Sequence, residues 1–202
     1  MAAITTDASG DNVFLAIENS TTTFPVVVMA ARSDLSTFSV AYEPGAGTAC
    51  NAIPDPANVD AMYFYGNFGT DLTITKYTIS TDTTADISPA SLGAKVINNL
   101  IVDPSNNSEM ICTVDTDQDL KNTIDAGITW TDWDAALGFD ATALAALWSG
   151  PYFLHRYFVG GEVSGGNLDL LYSPNEGAAT SNEEGTALGA LGEIVSIEVT
   201  EA

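Results

Sequence analysis

The acidic residues best placed to do chemistry lie at alternate positions in one short stretch of the chain. Asp115, Asp117 and Asp119 have the spacing of the first three ligands in an EF-hand calcium loop. The pattern then fails, because Leu120 stands where such a loop requires glycine and Ala126 stands where it requires a bidentate acid. We therefore treat the three aspartates as a candidate Ca²⁺ site, with a solvated acidic turn as the favoured alternative.

Two further acids follow the next predicted strand and bear on the same candidate site. If the predicted strands Met110–Val114 and Ile128–Trp133 pair with each other, Asp132 and Asp134 approach the rim on which the acidic stretch lies. Carboxylate oxygens are the ligands that hard cations such as Ca²⁺ and Mg²⁺ prefer. The candidate site therefore depends on the pairing of those two strands.

Other catalytic signatures are missing from the sequence. The single histidine, His155, alternates with aromatic residues on a predicted strand, and no Gly-x-Ser-x-Gly or catalytic cysteine motif accompanies it, so a packed imidazole is favoured over a general base. One histidine and two cysteines do not supply an ordinary zinc site, and nucleotide-binding glycine motifs are absent. We expect no enzyme and no cofactor. A hydrolase with paired carboxylates stays open, although nothing selects a pair from 27 acids.

The tryptophans are the residues that could bind a sugar by stacking. Trp130 and Trp133 are three positions apart, so on a regular strand they face opposite sides of the sheet. Trp148 follows, with four more aromatic residues close behind it. Packing in the core or at a subunit interface is favoured over a carbohydrate platform.

Charge excludes several classes of partner. The chain has 202 residues, of which 27 are acidic and only five are Lys or Arg, so the net charge is −22. Nucleic acids and anionic membranes both require clustered cations, and neither is an expected partner. The longest apolar run is too short to span a membrane, and the first residues lack the features of a signal peptide.

Alternation of apolar and polar residues recurs from end to end and predicts about ten short strands. Two helices are predicted between them. One runs from Ala141 to Ser149, with Asp140 as the N-cap. The other opens at Ser88, and a strand over Lys95–Val102 is its alternative.

These elements predict an all-β protein, an antiparallel β-sandwich or barrel of jelly-roll type with one or two short helices. Residues 1–202 are expected to form a single domain, with a long mobile loop at 173–192. No repeat of fixed period is apparent, which argues against a propeller or a solenoid. Cys50 and Cys112 are expected to be buried thiols, with a disulfide bridge as the alternative.

The shortage of cations guides the functional hypothesis. Repulsion between such acidic chains reaches about 10 Å at 0.1 M salt but about 3 Å at 1 M, so a saline environment suits association of this chain with copies of itself. A virion protein is made in the host cytoplasm and released by lysis, so it needs no signal peptide. We therefore expect a non-enzymatic structural building block of a virus particle, such as a capsid shell, decoration, turret or tail tube subunit. Its partners are copies of itself and other virion proteins.

The alternative function is a secreted module that binds carbohydrate or calcium. Exposed coplanar aromatic rings or a complete calcium shell would distinguish it from a structural building block.

Overall fold

A computed structural model describes residues 2–17, 25–68, 73–89, 96–114, 119–132, 140–147, 156–163, 167–173, 181–182 and 197. These residues form sixteen β-strands and include no helix. The strands are β1 (Ala2–Thr6), β2 (Asn12–Ile17), β3 (Val26–Ala31), β4 (Ser39–Tyr42), β5 (Ala49–Pro54), β6 (Ala61–Asn67), β7 (Ile74–Thr78), β8 (Thr83–Asp86), β9 (Ile97–Val102), β10 (Met110–Val114), β11 (Asp119–Thr123), β12 (Thr131–Asp132), β13 (Asp140–Leu147), β14 (Arg156–Val163), β15 (Asn167–Ser173) and β16 (Ser181–Asn182).

The strands form four sheets, each of four antiparallel strands in sequence order. The first sheet contains β1 to β4, the second β5 to β8, the third β9 to β12 and the fourth β13 to β16. Their first strands begin at Ala2, Ala49, Ile97 and Asp140, a period of roughly 45 residues, which is typical of propeller blades. Four-stranded meanders are also the units from which β-propeller blades are made.

Consecutive sheets pack face to face, and one strand shows how. Met62 and Phe64 of β6 point into a core shared with the first sheet, whereas Tyr63 and Tyr65 point into a core shared with the third sheet. Side chains alternate between the two faces of a strand, so a continuously apolar strand serves two cores. The fourth sheet continues the series, because β13 contacts β9 and β10.

The predicted all-β class and its antiparallel sheets are confirmed. The prediction of about ten strands was too low, since sixteen are described. Each sheet is a simple meander, which is not the connectivity of a jelly roll. The expectation that the chain has no fixed repeat was also wrong, because the four sheets repeat one element order.

Neither predicted helix is present among the described residues. The segment predicted as a helix from Ala141 contains strand β13, in which Ala143, Leu144 and Ala145 are all buried. A helix of this length is marginal on its own, so packing against neighbouring strands overrides alanine's helix propensity. Strand β9 confirms the alternative over the second helix, although Lys95 lies outside the described residues.

The two cysteines are buried in different cores and form no disulfide. Cys50 lies between the first and second sheets, and Cys112 lies between the second and third. Burial raises the pKa of the Cys112 thiol to about 12, against a smaller lowering effect of Lys121. Both residues therefore act as small apolar core residues, as predicted.

Two further sequence predictions concern the loop at 173–192 and the membrane. The predicted mobile loop at 173–192 lies outside the described residues except for Ser173 and strand β16, which pairs with β15. Within the described part of the chain, no helix has the length and apolar character needed to cross a membrane.

Candidate functional site

The same loop follows the first strand of three sheets. The second loop reads Asp-Pro-Ala-Asn from Asp55, and the third reads Asp-Pro-Ser-Asn from Asp103. The first loop keeps only the aspartate, Asp7. Each of the three aspartates directly follows the last residue of a first strand. Side chains that recur at one structural position in three sheets form the most regular polar feature of the described chain.

The backbone closes each of these loops in the same way. The N–H of the aspartate donates to a carbonyl at or next to the start of the second strand, at 3.1 Å for Asp7, 3.0 Å for Asp55 and 2.9 Å for Asp103. The aspartate carbonyl in turn accepts from the N–H three residues on, at 3.0 to 3.3 Å. The repeated aspartate therefore sits at the start of a turn, where its side chain can bond to the backbone ahead of it.

Each aspartate carboxylate bonds to a group two residues along the chain. Asp7 accepts from the Ser9 hydroxyl at 2.9 Å, and Asp103 accepts from the N–H and hydroxyl of Ser105 at 2.7 and 2.8 Å. Asp55 accepts from the N–H of Ala57 at 3.0 Å. The three side chains are only 3%, 0% and 0% exposed. These carboxylates therefore hold their own loops rather than face solvent.

Asp55 also connects two sheets. Its Oδ2 atom accepts hydrogen bonds from the Tyr63 hydroxyl at 3.0 Å and from Nδ2 of Asn107, in the third-sheet loop, at 2.9 Å. Lys76 Nζ lies 3.9 Å from the same oxygen and 5.6 Å from the centre of the Tyr63 ring. Burial and the Asp55 carboxylate raise the pKa of Tyr63 far above its usual value. We call Asp55, Tyr63, Lys76 and Asn107 the Asp55 network.

The protonation of Asp7 is expected to affect the stability of the folded protein. Burial alone would raise the pKa of Asp7, but hydrogen bonds from the side chains of Asn12 and Ser9 and from the backbone of Asn12 and Asp11 outweigh it. The pKa of the Asp7 carboxyl is therefore lower in the folded protein than in the unfolded chain. A carboxyl of this kind stabilises the fold above its unfolded pKa of about 3.9, and its contribution disappears as the pH falls through the folded pKa.

We expect Asp7→Asn to lower the free energy of unfolding by about 1–3 kcal/mol at pH 7, because the hydrogen bonds then reach a neutral acceptor. The difference between wild type and variant should shrink below about pH 4 and approach zero in stronger acid. Urea unfolding at a series of pH values measures it. Asp11→Asn is the control, since Asp11 is exposed. A difference that stays constant down to pH 2 would show that the Asp7 charge contributes nothing.

Another aspartate, Asp125, closes the turn between β11 and β12. Asp125 accepts from the N–H and hydroxyl of Thr129 at 2.8 and 2.6 Å and from the Thr123 hydroxyl at 2.8 Å. The Thr123 hydroxyl oxygen accepts from the N–H of Gly127 at 3.0 Å. The hydrogen bonds from Thr129, followed by the bond from Thr123, lower the pKa of Asp125.

This turn rests on the second sheet. Gly127 has φ = 88°, and a Cβ atom there would lie 2.7 Å from Cβ of Ile87, so only glycine fits without movement. The indole N–H of Trp130 donates to the Ile87 carbonyl at 2.7 Å. Trp130 also packs against the core between the second and third sheets. The prediction that this tryptophan has a packing role is confirmed.

Arg32 lines an open groove at the first sheet. The groove has a volume of about 540 Å³ and is lined by Asp11, Asn12, Ala31, Arg32 and Ser33. The Arg32 backbone N–H donates to the Asp11 carbonyl at 2.7 Å, and the residue is exposed. The groove is therefore a solvated surface depression beside the Asp7 loop.

The candidate calcium residues are only partly within the described chain. Asp115 and Asp117 lie outside the described residues. Asp119 is the first residue of β11, opposite Val114, and only its backbone is described. The described residues contain no group of three His, Cys, Asp or Glu side chains able to hold a metal ion. The calcium site therefore stays a prediction.

The strand pairing on which that site depended was wrong. Strand β10 pairs with β9 and with β11, and β11 was not predicted. Asp132 lies in β12 opposite Lys121, so another strand separates it from β10. Asp134, His155, Trp133 and Trp148 lie outside the described residues.

The loop aspartates were not predicted from the sequence, although a signal for them is present. Asp-Pro-x-Asn occurs in the second and third loops, and in both it follows an apolar strand and precedes a second strand that contains methionine. The rest of the repeat has diverged: the first loop lacks the proline. Aligning the segments on that tetrapeptide would have revealed the period.

No protein family model and no curated protein sequence matches this chain. Solved structures do resemble it. The GH74 xyloglucanase from Xanthomonas campestris superposes with a TM-score of 0.68 at 15% identity, over 95% of this chain and 31% of its own. A GH74 enzyme from Niastella koreensis gives 0.65 at 15% identity, over 88% and 24%. An auxiliary nutrient binding protein from Bacteroides thetaiotaomicron gives 0.59 at 11% identity, over 89% and 46%.

Because the identities are only 11–15%, these similarities show a likeness in fold alone. This chain spans between about a quarter and a half of the length of those proteins. The class shown for the described residues is therefore an all-β fold of four antiparallel, four-stranded sheets.

Proposed function

We propose that this chain is a non-enzymatic structural building block that assembles with copies of itself in a saline environment, as part of a virus particle. The observation that carries the proposal is the use of the buried carboxylates. Asp7 and Asp55 each accept hydrogen bonds from several donors of the surrounding loops and strands. These carboxylates stabilise the loops between the strands, and a stable framework suits a subunit of a particle.

The charge of the chain supports the same proposal. A net charge of −22 with five Lys and Arg keeps separate copies soluble, and close association becomes favourable where salt screens the repulsion. The few Lys and Arg residues also offer few cleavage positions to trypsin-like proteases, which suits a particle exposed outside cells.

We expect the purified chain to be monomeric at 0.1 M NaCl and to self-associate above about 1 M NaCl, because the screening length falls from about 10 Å to about 3 Å. Sedimentation velocity over a range of salt and protein concentrations measures this. Sucrose at matched viscosity is the control, because it does not screen charge. A monomer at every salt and protein concentration would contradict the proposal.

The second candidate function is carbohydrate binding, favoured by the similarity in fold to a xyloglucanase and to a nutrient binding protein. Calorimetry with xyloglucan oligosaccharides tests it. Saturable heat at millimolar ligand would support this function, and the absence of heat would reject it for that class of sugar.

A further inference from the structure

One face of the first sheet is apolar, and several of its side chains are exposed. We call it the outer face: it is the side of β1 to β4 opposite the side that packs on β5. The register aligns Ile4 with Leu15, Leu15 with Val28, and Val28 with Val40, so a single apolar row crosses all four strands. A second row aligns Ile17 with Val26.

Three apolar residues of the outer face are exposed, whereas Leu15 and Val28 between them are partly buried and Ala30 is buried. Ile4 is 75% exposed, Val40 is 56% exposed and Ile17 is 36% exposed. On the opposite side of the same strands, Phe14, Ala16 and Val27 are all fully buried. The sheet is therefore apolar on two sides, one fully buried and the other only partly covered, which is the pattern of a sheet that packs on both faces.

The outer face also lacks charge. The described residues whose register places them on it are uncharged: Ile4, Thr6, Val13, Leu15, Ile17, Val26, Val28, Ala30 and Val40. In a chain with 27 acidic residues, we expect a solvent-exposed surface to carry carboxylates. Strand β8 of the second sheet is the contrast, since its four residues are all exposed and include only one apolar side chain, Ala85.

We propose that the outer face is the surface through which two copies of this chain associate, with the outer face of one copy packed on the outer face of the other. This inference rests on the proposed function and names the surface it uses. Packing of one sheet on another already joins the first and second sheets within the molecule, and the dimer extends that series by one more layer. A face that meets its own copy is self-complementary, as two-fold symmetry requires.

The size of the outer face agrees with a weak dimer. Four strands about 4.8 Å apart, with roughly five residues each at about 3.3 Å, cover roughly 300–400 Å² of flat area on each copy. Side-chain relief increases this, so two faces together bury on the order of 1,000 Å², the lower limit for a specific interface. Such an interface holds where salt screens the repulsion between the two acidic chains and is lost at low salt.

The test is Val40→Lys, compared with Thr84→Lys on the exposed strand β8. Both variants reduce the net negative charge by one, so both weaken general repulsion equally. At 2 M NaCl we expect Val40→Lys to raise the dissociation constant of the dimer by about 100-fold or more, because two ammonium groups enter one apolar interface. Thr84→Lys should leave it within about threefold of the wild-type value. Sedimentation equilibrium measures the three constants, and circular dichroism checks that each variant is folded.

Each outcome has one meaning. If Val40→Lys associates as tightly as Thr84→Lys, the outer face is not the interface, although self-association stands. If the wild type is monomeric under all conditions, the proposed function fails and this inference fails with it. If Val40→Lys is unfolded, Ile4→Lys replaces it, since Ile4 lies in the same row and is more exposed.

Discussion

Replacing Asp55 by alanine should lower the free energy of unfolding by about 3–5 kcal/mol, the cost of removing one partner from a buried charged network. The substitution leaves three donors without their acceptor: the Tyr63 hydroxyl, Asn107 Nδ2 and the Ala57 N–H. It also removes the charge that Lys76 Nζ faces at 3.9 Å. Asp55 is fully buried, so water does not readily replace it. The loss therefore affects both the second sheet and its contact with the third.

Two variants make this result interpretable. Asp55→Asn keeps the volume and one acceptor oxygen, so we expect it to cost less than alanine, about 1–3 kcal/mol. Asp11→Ala removes a carboxylate from the corresponding loop of the first sheet, where the residue is exposed, and should change stability by less than about 0.5 kcal/mol. Urea unfolding measures all three. Equal effects of Asp55→Ala and Asp11→Ala would mean that the Asp55 network contributes nothing.

Phe64→Ala should be the most damaging change in the core between the first and second sheets. The Phe64 ring is fully buried. It stacks on Tyr42 and Tyr77 at centroid distances of 5.6 and 5.4 Å and lies 6.2 Å from Phe14. Truncation leaves a cavity among three rings, and we expect a loss of about 3–5 kcal/mol.

Phe38→Ala is the matched control, because Phe38 is 45% exposed. It should cost less than about 1 kcal/mol, since nearly half of the residue is already exposed to water. Chemical unfolding at constant salt gives both values. If Phe64→Ala costs no more than Phe38→Ala, the first two sheets are not joined through these rings.

The alternation of side chains made the strands predictable. In β2, Phe14 and Ala16 alternate with Leu15 and Ile17, and the structure places the first pair in the core and the second on the outer face. What alternation does not specify is which strand pairs with which. The pairing of β10 with β11 does not follow from the acidic stretch between them, for which the sequence favours a solvated acidic turn over a Ca²⁺ site.

Local propensity was misleading where packing decides the structure. Strand β13 is rich in alanine and leucine, and these residues favour a helix in isolation. Its buried residues pack against neighbouring strands instead. Those neighbours are β14, the next strand, and β9 and β10 before it, so they lie outside the segment and do not appear in its local sequence.

The loop aspartates were partly predictable. The recurring Asp-Pro-x-Asn segment is visible in the sequence and marks turns. The contact of Asp55 with Asn107 was not predictable from the local sequence, because the two residues are 52 positions apart. That contact exists only because the second and third sheets stack, so it follows from the tertiary structure.

The central claim is that this chain associates with a second copy of itself through the outer face of its first sheet. Cryo-electron microscopy of the wild-type chain at 2 M NaCl tests this most directly. We expect paired units in which the rows containing Ile4 and Val40 meet across a two-fold axis. Units with a bare outer face, or pairs joined through any other surface, would contradict the claim.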